Sequence, residues 1–213
     1  MIKAILWDFG GVITSSPFEA FNRFEAANRL PKDLIRSINA TDPETNAWAQ
    51  LESNQIGVDE FDAKFAGEAL SLGHEVSGSQ VLDLLSGDLR EEMVDALKII
   101  KSRLQIGCIT NNVKTGEGPS MTKDPSRVAR MNEVMALFDI VIESSKAGIR
   151  KPDPEIYKLA CSHMDIEPAE AIFLDDLGIN LKPARKLGMT TIKVLTAKQA
   201  LDDLEAILGF GLR

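Results

Sequence analysis

The chain has 213 residues, of which 44% are hydrophobic and 26% charged, and its formal net charge is -8. This length and apolar content allow one sizeable core with an elaboration, which excludes a minimal fold. An acidic balance without any cluster of Lys or Arg argues against nucleic acid and membrane surfaces as partners. Met1 to Lys3 lead directly into a strand pattern, and no apolar stretch approaches the ~20 residues of a membrane-spanning helix, so we expect a cytoplasmic protein.

The first predicted strand covers residues 4–7, and it ends at Asp8. Phe9, Gly10 and Gly11 follow. A carboxylate at the end of a buried strand that opens into a Gly-Gly turn is exposed at the edge where open α/β sheets bind ligands. Asp8 is therefore the candidate nucleophile. Because an Asp before two glycines is also ordinary turn chemistry, this assignment depends on the polar clusters that come later.

About a hundred residues separate this strand from the next one, far more than the roughly dozen that a single crossover helix requires. We therefore predict an inserted helical subdomain. Its start is marked by Ser16 as N-cap, Pro17 at the first helical position and Glu19 to complete a capping box. Three aromatic rings then recur at helical spacing, and either they pack the core of the subdomain or one of them shapes an apolar substrate pocket. These rings belong to Phe18, Phe21 and Phe24.

Further strands are predicted at 105–109, 140–142, 171–174 and 191–194, with helical patterns between them. This alternation is typical of an α/β fold in which a doubly wound parallel sheet carries helices on both faces. A Gly- and Pro-rich stretch at 115–125 predicts a loop beside the ligand-binding edge, with either a connecting or a specificity role. Two cysteines, Cys108 and Cys161, lie at unrelated positions and are expected to fill the core rather than to form a disulfide.

Polar residues follow the second and fourth of the five predicted strands. Thr110 and Asn111 come after the second strand, and the pair Asp175-Asp176 comes after the fourth. Between them Lys151 lies just before a predicted helix start. With Asp8, the chain thus offers a carboxylate nucleophile, a hydroxyl and amide pair, a cation and a paired-carboxylate metal site. The alternative for the acidic pair is an N-cap of the next helix, which explains one Asp more easily than two.

This set of residues and its order resemble the haloacid dehalogenase-like (HAD) hydrolases, most of which are Mg²⁺-dependent phosphatases that work through an aspartyl-phosphate. The stretches 148–157 and 172–182 look closest to the phosphatase-like domains fused ahead of epoxide hydrolases and of acyl-CoA dehydrogenase-like proteins. The resemblance implies a Rossmann-like core formed by residues 1–14 and 96–213. It also implies a small helical cap, residues 15–95, that closes over the active site and selects a small phosphorylated substrate.

The resemblance also assigns a metal site. It implies that Mg²⁺ is held by Asp8, by the backbone carbonyl of Gly10 and by the pair Asp175-Asp176. Carboxylate oxygens suit Mg²⁺, and the ion offsets the repulsion between a carboxylate nucleophile and a phosphate monoester.

Three further residues receive roles on the phosphoryl group from the same resemblance. Lys151 would neutralise the transferring group and hold Asp8 ionised, although the neighbouring cations Lys146 and Arg150 compete for that role. Thr110 would donate its hydroxyl to a phosphate oxygen, and Asn111 would orient either the nucleophile or the substrate.

Gly10 departs from the pattern of the family, whose phosphatases usually carry a second Asp at this position. Glycine keeps the carbonyl ligand but removes the general acid and base, a loss that typically costs about 10²- to 10⁴-fold in rate. Two alternatives therefore stay open. One is a hydrolytic dehalogenase, which also lacks the second Asp but needs no metal and generally lacks the acidic pair. The other is a non-catalytic binding or regulatory module.

Overall fold

The computed structural model describes residues 1–112 and 125–213. Its centre is a parallel five-stranded sheet with the strand order β3-β2-β1-β4-β5. The predicted α/β sheet is confirmed, and every predicted strand agrees with an observed strand to within one residue at each end. The strands are β1 (Ala4–Trp7), β2 (Gln105–Thr110), β3 (Ile140–Glu143), β4 (Ala171–Asp175) and β5 (Thr190–Lys193).

The helices of the described residues fall into two groups. Five lie between β1 and the return of the chain to the sheet: α1 (Pro17–Ala27), α2 (Leu34–Ala40), α3 (Ala47–Glu52), α4 (Val58–Ser71) and α5 (Gly78–Asp83). The others alternate with the strands: α6 (Glu91–Lys101), α7 (Pro125–Met135), α8 (Ser144–Ala147), α9 (Pro154–His163), α10 (Gly178–Lys186) and α11 (Ala197–Leu208). Among residues 1–112 and 125–213, no helix is both long and apolar enough to cross a bilayer.

Both faces of the sheet are covered, as the continuous apolar strands require. Ile5 and Trp7 of β1 belong to a core cluster with α6, α7 and α11. The alternating residues Ala4 and Leu6 belong to the opposite cluster, with α9 and α10. Cys108 lies in the first of these clusters and Cys161 in the second, both free and buried, which confirms their predicted role as core fillers.

Helices α1 to α5 bury a separate apolar core, in which Phe21, Phe61 and Phe65 are almost fully enclosed. The chain enters and leaves this inserted unit side by side, because Thr14 forms an antiparallel bridge with Leu89. Helix α6, from Glu91 onward, packs on the sheet rather than on this unit. We therefore propose a boundary before α6, since a division at residues 95 and 96 would cut that helix.

Ser16 is the N-cap of α1 and Pro17 its first residue, as predicted. The capping box with Glu19 is not formed. Ser16 Oγ accepts a hydrogen bond from Phe18 N at 3.4 Å and also donates to Asp176 Oδ2, just past the end of β4. The loop predicted at 115–125 lies outside the described residues except for Pro125, where α7 begins.

Candidate active site

The register of the sheet places three of the predicted site residues at one edge. Trp7 is level with Leu174 of β4, so Asp8 and Asp175 are each the next residue along neighbouring parallel strands. Asp8 N donates a hydrogen bond to Leu174 O at 2.8 Å, which fixes this alignment. Thr110 ends β2 on the other side of β1. These residues are buried at the carboxyl ends of the strands, where parallel sheets bind ligands.

Three carboxylates converge at this edge. Oxygen atoms of Asp8, Asp175 and Asp176 all lie within 4.8 Å of one another. Burial raises the pKa of Asp8 well above its ordinary value, and the negative charges of Asp175 and Asp176 add to that effect. Burial, with a further contribution from Asp175, likewise raises the pKa of Asp176 to about 6. The cluster therefore has the electrostatics of a site that is short of positive charge.

Lys151 supplies one positive charge to the three carboxylates. Its Nζ lies 2.7 Å from Asp8 Oδ1 and 2.8 Å from Asp175 Oδ2, and the side chain is only 1% exposed. Burial by itself would lower the pKa of Lys151, but the charges of Asp175 and Asp8 outweigh it, so the pKa rises above its ordinary value. Lys151 is therefore a charged ammonium at the floor of the site.

The two neighbouring cations that competed for this position point elsewhere. Lys146 is exposed and pairs with Glu143, whereas Arg150 pairs with Glu52 of the inserted unit. Among these three cations, Lys151 is the one that reaches Asp8.

Asp175 is held by groups that the sequence pattern did not reveal. The Nδ2 group of Asn180 lies 3.1 and 3.0 Å from its two carboxylate oxygens, and Leu177 N donates to Oδ1 at 2.7 Å. The N-cap of α10 is Leu177, so neither Asp175 nor Asp176 has the N-cap position offered as the alternative. Asn180 lies in the first turn of α10, five residues after Asp175. This short separation is the feature of the sequence from which the contact could have been predicted.

Asn111 holds the main chain of Lys151. Its Oδ1 accepts a hydrogen bond from Lys151 N at 2.9 Å, and its Nδ2 donates to Lys151 O at 3.0 Å. Nδ2 also lies 3.4 Å from Glu52 Oε2. Since both ends of the amide are engaged, this geometry favours a role in placing Lys151; the contact between Asn111 and substrate stays a prediction.

The two glycines after Phe9 have different surroundings. Gly11 has φ +79°, and a Cβ at this position would collide with the carboxylate of Asp176. Gly10 does not have a positive φ, and a Cβ there would meet no atom within 4 Å. Position 10, where the family usually carries its acid and base, can therefore accept a side chain without strain. A side chain at position 11 would be strained.

A cavity of about 920 Å³ lies above this cluster, between the sheet edge and the inserted unit. Asp8, Gly10, Thr110, Asn111, Lys151 and Asp176 line the cavity from the core. Phe18, Phe21 and Trp48 line it from the inserted unit, while Phe24 packs on the core of that unit. Phe21 is also buried in that core. The three phenylalanines therefore do both things that were predicted for them: they pack the core of the inserted unit, and two of them line the cavity.

Comparisons with known proteins agree with this architecture. The model of the haloacid dehalogenase-like hydrolase family matches residues 2–188. Acyl-CoA dehydrogenase family member 10 of Mus musculus is 32% identical over 99% of this chain, and bifunctional epoxide hydrolase 2 of Mus musculus is 30% identical over 98%. The chain spans only 19% and 39% of the length of these two proteins. A sesquiterpene phosphatase of Aspergillus oryzae is 25% identical, with 97% of each chain covered.

Solved structures with the same fold include a HAD family enzyme from Bacteroides thetaiotaomicron in complex with magnesium and inorganic phosphate. It is 22% identical, with a TM-score of 0.59, and the match covers 91% of this chain and 94% of that one. L-2-haloacid dehalogenase from Xanthobacter autotrophicus is 18% identical, with a TM-score of 0.61, over 97% of this chain and 83% of that one. With the family model matching most of its length, this chain belongs to the haloacid dehalogenase-like hydrolases.

Proposed function

We propose that this protein is a Mg²⁺-dependent phosphatase that hydrolyses a small organic phosphate monoester through an aspartyl-phosphate on Asp8. The observation that carries the proposal is the cluster of three carboxylates that, among the described residues, shares one ammonium group at the floor of a cavity. The magnesium and phosphate complex of the Bacteroides thetaiotaomicron relative and the sesquiterpene phosphatase from Aspergillus oryzae support the same chemistry.

The residues present fit a magnesium ion. Their donors are hard carboxylate oxygens. Within residues 1–112 and 125–213, two buried carboxylates and a partly buried one share one ammonium, which leaves an excess of negative charge that a divalent cation would offset. We propose that Asp8, Asp175, Asp176 and the carbonyl of Gly10 hold the ion. Bound Mg²⁺ supplies positive charge beside the nucleophile and the phosphoryl group.

The reacting groups of the chain have distinct roles in this proposal. Oδ1 of Asp8 is held by Phe9 N at 2.7 Å and by Lys151, and within the described residues no hydrogen bond is made to Oδ2, which we take as the attacking oxygen. Attack forms the bond from Oδ2 to phosphorus and breaks the ester bond, so the leaving oxygen departs with the bonding electrons. Lys151 neutralises the phosphoryl oxygens, and Thr110 donates its hydroxyl to one of them. Water then attacks phosphorus and the bond from phosphorus to Oδ2 breaks, which releases phosphate and restores the carboxylate of Asp8. The proton that the water loses to solvent balances the one that the leaving oxygen takes from solvent.

Gly10 determines how the proposed reaction depends on the leaving group and which step is slow. Because this position carries no carboxylate, the leaving oxygen receives no proton from it, and no base at this position activates the water of the second step. Aryl and acyl phosphates, whose leaving oxygens bear negative charge well, should therefore transfer their phosphoryl group to Asp8 much faster than alkyl phosphates. The aspartyl-phosphate should also accumulate, since its hydrolysis is slowed.

The inserted unit is the proposed cap. Phe18, Phe21 and Trp48 would enclose the organic part of the substrate and exclude water from the carboxylate cluster. The dehalogenase alternative has less support, because such an enzyme needs no metal, whereas Asp175 and Asp176 form with Asp8 a carboxylate cluster that suits one.

A substrate panel tests the proposal. Purified protein is assayed for phosphate release from aryl, acyl and alkyl phosphates, with Mg²⁺ and with EDTA, and in parallel for halide release from short 2-haloacids. Phosphate release that requires Mg²⁺ supports the phosphatase. Halide release in EDTA would support the dehalogenase, and no turnover of any substrate would support a non-catalytic module.

A further inference from the structure

Glu52, the last residue of α3, reaches from the inserted unit to the core. Its Oε2 lies 2.5 Å from Arg150 Nη2 and 3.4 Å from Asn111 Nδ2. Its main-chain oxygen accepts a hydrogen bond from Ser144 Oγ at 2.8 Å. The side chain is only 9% exposed, and all three partners belong to the core. Glu52 is therefore anchored to the core through both its side chain and its main chain.

Two of these partners adjoin Lys151. Arg150 precedes it in the chain, and its Nη1 donates to Pro43 O of the inserted unit at 3.0 Å. Asn111 brackets the main chain of Lys151 with its two hydrogen bonds. Asn111 Nδ2 donates to both the Lys151 carbonyl and the carboxylate of Glu52. The carboxylate therefore helps to fix the orientation of the Asn111 amide that holds the main chain of Lys151. Acceptors that carry a charge make the stronger hydrogen bonds.

We propose that Glu52 is a positioning residue that couples the seating of the inserted unit to the placement of Lys151. While the inserted unit is in contact with the core, the carboxylate of Glu52 restrains Arg150 and Asn111, which both adjoin Lys151. When the unit lifts away, both restraints are lost and the bracket around Lys151 loosens. Lys151 would therefore hold its position beside Asp8 only while the inserted unit covers the cavity. The catalytic consequence rests on the role proposed above for Lys151, whereas the mechanical coupling does not.

The amide of Lys151 provides a direct readout of the bracket, because it donates to Asn111 Oδ1. Its hydrogen exchange is measured by NMR in metal-free wild type, in Glu52→Gln and in the control Glu60→Gln. Glu60 pairs with Lys64 on the surface of α4, and its side chain is 55% exposed. In Glu52→Gln, exchange at Lys151 should be about tenfold faster, while exchange at the Asp8 amide, bonded to Leu174 O, stays unchanged. Glu60→Gln should change neither rate.

A second comparison establishes the route of the effect. In an Asn111→Ala background, Glu52→Gln should cause no further increase in Lys151 exchange, because the bracket is already absent. Kinetics with Mg²⁺ and an aryl phosphate should show kcat lower by about tenfold in Glu52→Gln with KM changed by less than about threefold, since misplacement of a charged group affects the transition state most. Glu60→Gln should match the wild type in both constants.

Unchanged exchange at Lys151 in Glu52→Gln would overturn the proposal. Equal acceleration at the Asp8 amide would overturn it as well, since that marks a general loss of stability. A wild-type protein that hydrolyses no phosphate monoester, yet shows the selective exchange effect, would refute the proposed phosphatase and leave the coupling in place. Normal exchange with a lowered kcat would refute the coupling and leave the phosphatase in place.

Discussion

The ammonium of Lys151 lies 2.7 Å from Oδ1 of Asp8, and both side chains are buried at the end of β1. The same ammonium lies 2.8 Å from Asp175 Oδ2, so a single cation serves two strands of the sheet. Because Asp176 adds a third negative charge, the metal-free site depends on Lys151 for its electrostatic balance.

Lys151→Met should therefore destabilise the metal-free fold by about 3 to 5 kcal/mol, as expected when one partner of a buried ion pair is removed. The matched control is Lys158→Met, because Lys158 pairs with Glu155 on the exposed face of α9. An exposed pair of this kind is worth at most about 1 kcal/mol. Urea unfolding in EDTA measures both values. An equal loss in the free energy of unfolding in the two variants would show that the ion pairs of Lys151 stabilise the fold no more than an exposed pair does.

Gly10→Asp should increase the rate on alkyl phosphates selectively. The backbone at Gly10 suits any residue and a Cβ there meets open space, so the carboxylate can be introduced without strain. A restored general acid is expected to raise kcat/KM, which reports the first step, by about 10²-fold for alkyl phosphates and much less for aryl phosphates. Gly10→Asn, of the same shape but without a proton to transfer, is the control. An equal gain in kcat/KM on both classes, or a gain in the Asn variant, would disprove the general-acid explanation.

Gly11→Ala should abolish the response to Mg²⁺, whereas Gly10→Ala should preserve it. The Cβ at Gly11 would collide with the carboxylate of Asp176 and would also occupy a positive-φ conformation. Gly10 has neither constraint. Melting curves with and without millimolar Mg²⁺ compare the two variants. A normal Mg²⁺-induced rise of Tm in Gly11→Ala would show that Asp176 is dispensable for metal binding.

Asp176→Asn should stabilise the metal-free protein at neutral pH. The pKa of Asp176 in the folded state is about 6, above the ordinary 3.8, so the folded state binds this proton more tightly than the unfolded state. The resulting stability is present below about pH 4 and is lost as the pH rises through about 6. The stability advantage of the variant should therefore grow by about 1 to 3 kcal/mol between about pH 4 and pH 7.5.

Urea unfolding in EDTA at the two pH values measures this difference. In millimolar Mg²⁺ the order should reverse, because bound metal stabilises the wild type by mass action and the variant has lost a ligand. An advantage that is independent of pH would contradict the assigned pKa shift, and a variant still stabilised by Mg²⁺ would remove Asp176 from the site.

The centre of the sheet was predictable because β1, β2 and β4 are short, mostly buried apolar runs, and parallel strands buried on both faces have that signature. Asp8, Thr110 and Asp175 were found for the same reason, since polar residues at the ends of such runs must share one edge. Lys151 was chosen over Lys146 and Arg150 only by resemblance to a family.

What the sequence did not reveal depends on contacts between distant segments. Glu52 meets Asn111 from 59 positions away, and Ser16 meets Asp176 from 160 positions away. No local pattern contains these distances. The capping box at Glu19 was wrong because Ser16 Oγ turns toward Asp176, a partner that only the fold supplies. Asn111 was expected to orient the nucleophile or the substrate, and its two hydrogen bonds to the main chain of Lys151, 40 positions away, are likewise contacts between distant segments.

The covalent intermediate on Asp8 is the central claim, and it is tested by trapping. The protein is mixed with Mg²⁺ and an aryl phosphate, quenched in acid within the first turnovers, and mapped for phosphorylated peptides by mass spectrometry. The slow second step expected without a carboxylate at position 10 should leave a phosphoryl group on Asp8, absent in Asp8→Asn and in EDTA. Asp8→Asn should also lose phosphate release by more than about 10³-fold. Sustained phosphate release without any label on Asp8, or equal release by Asp8→Asn, would contradict the account.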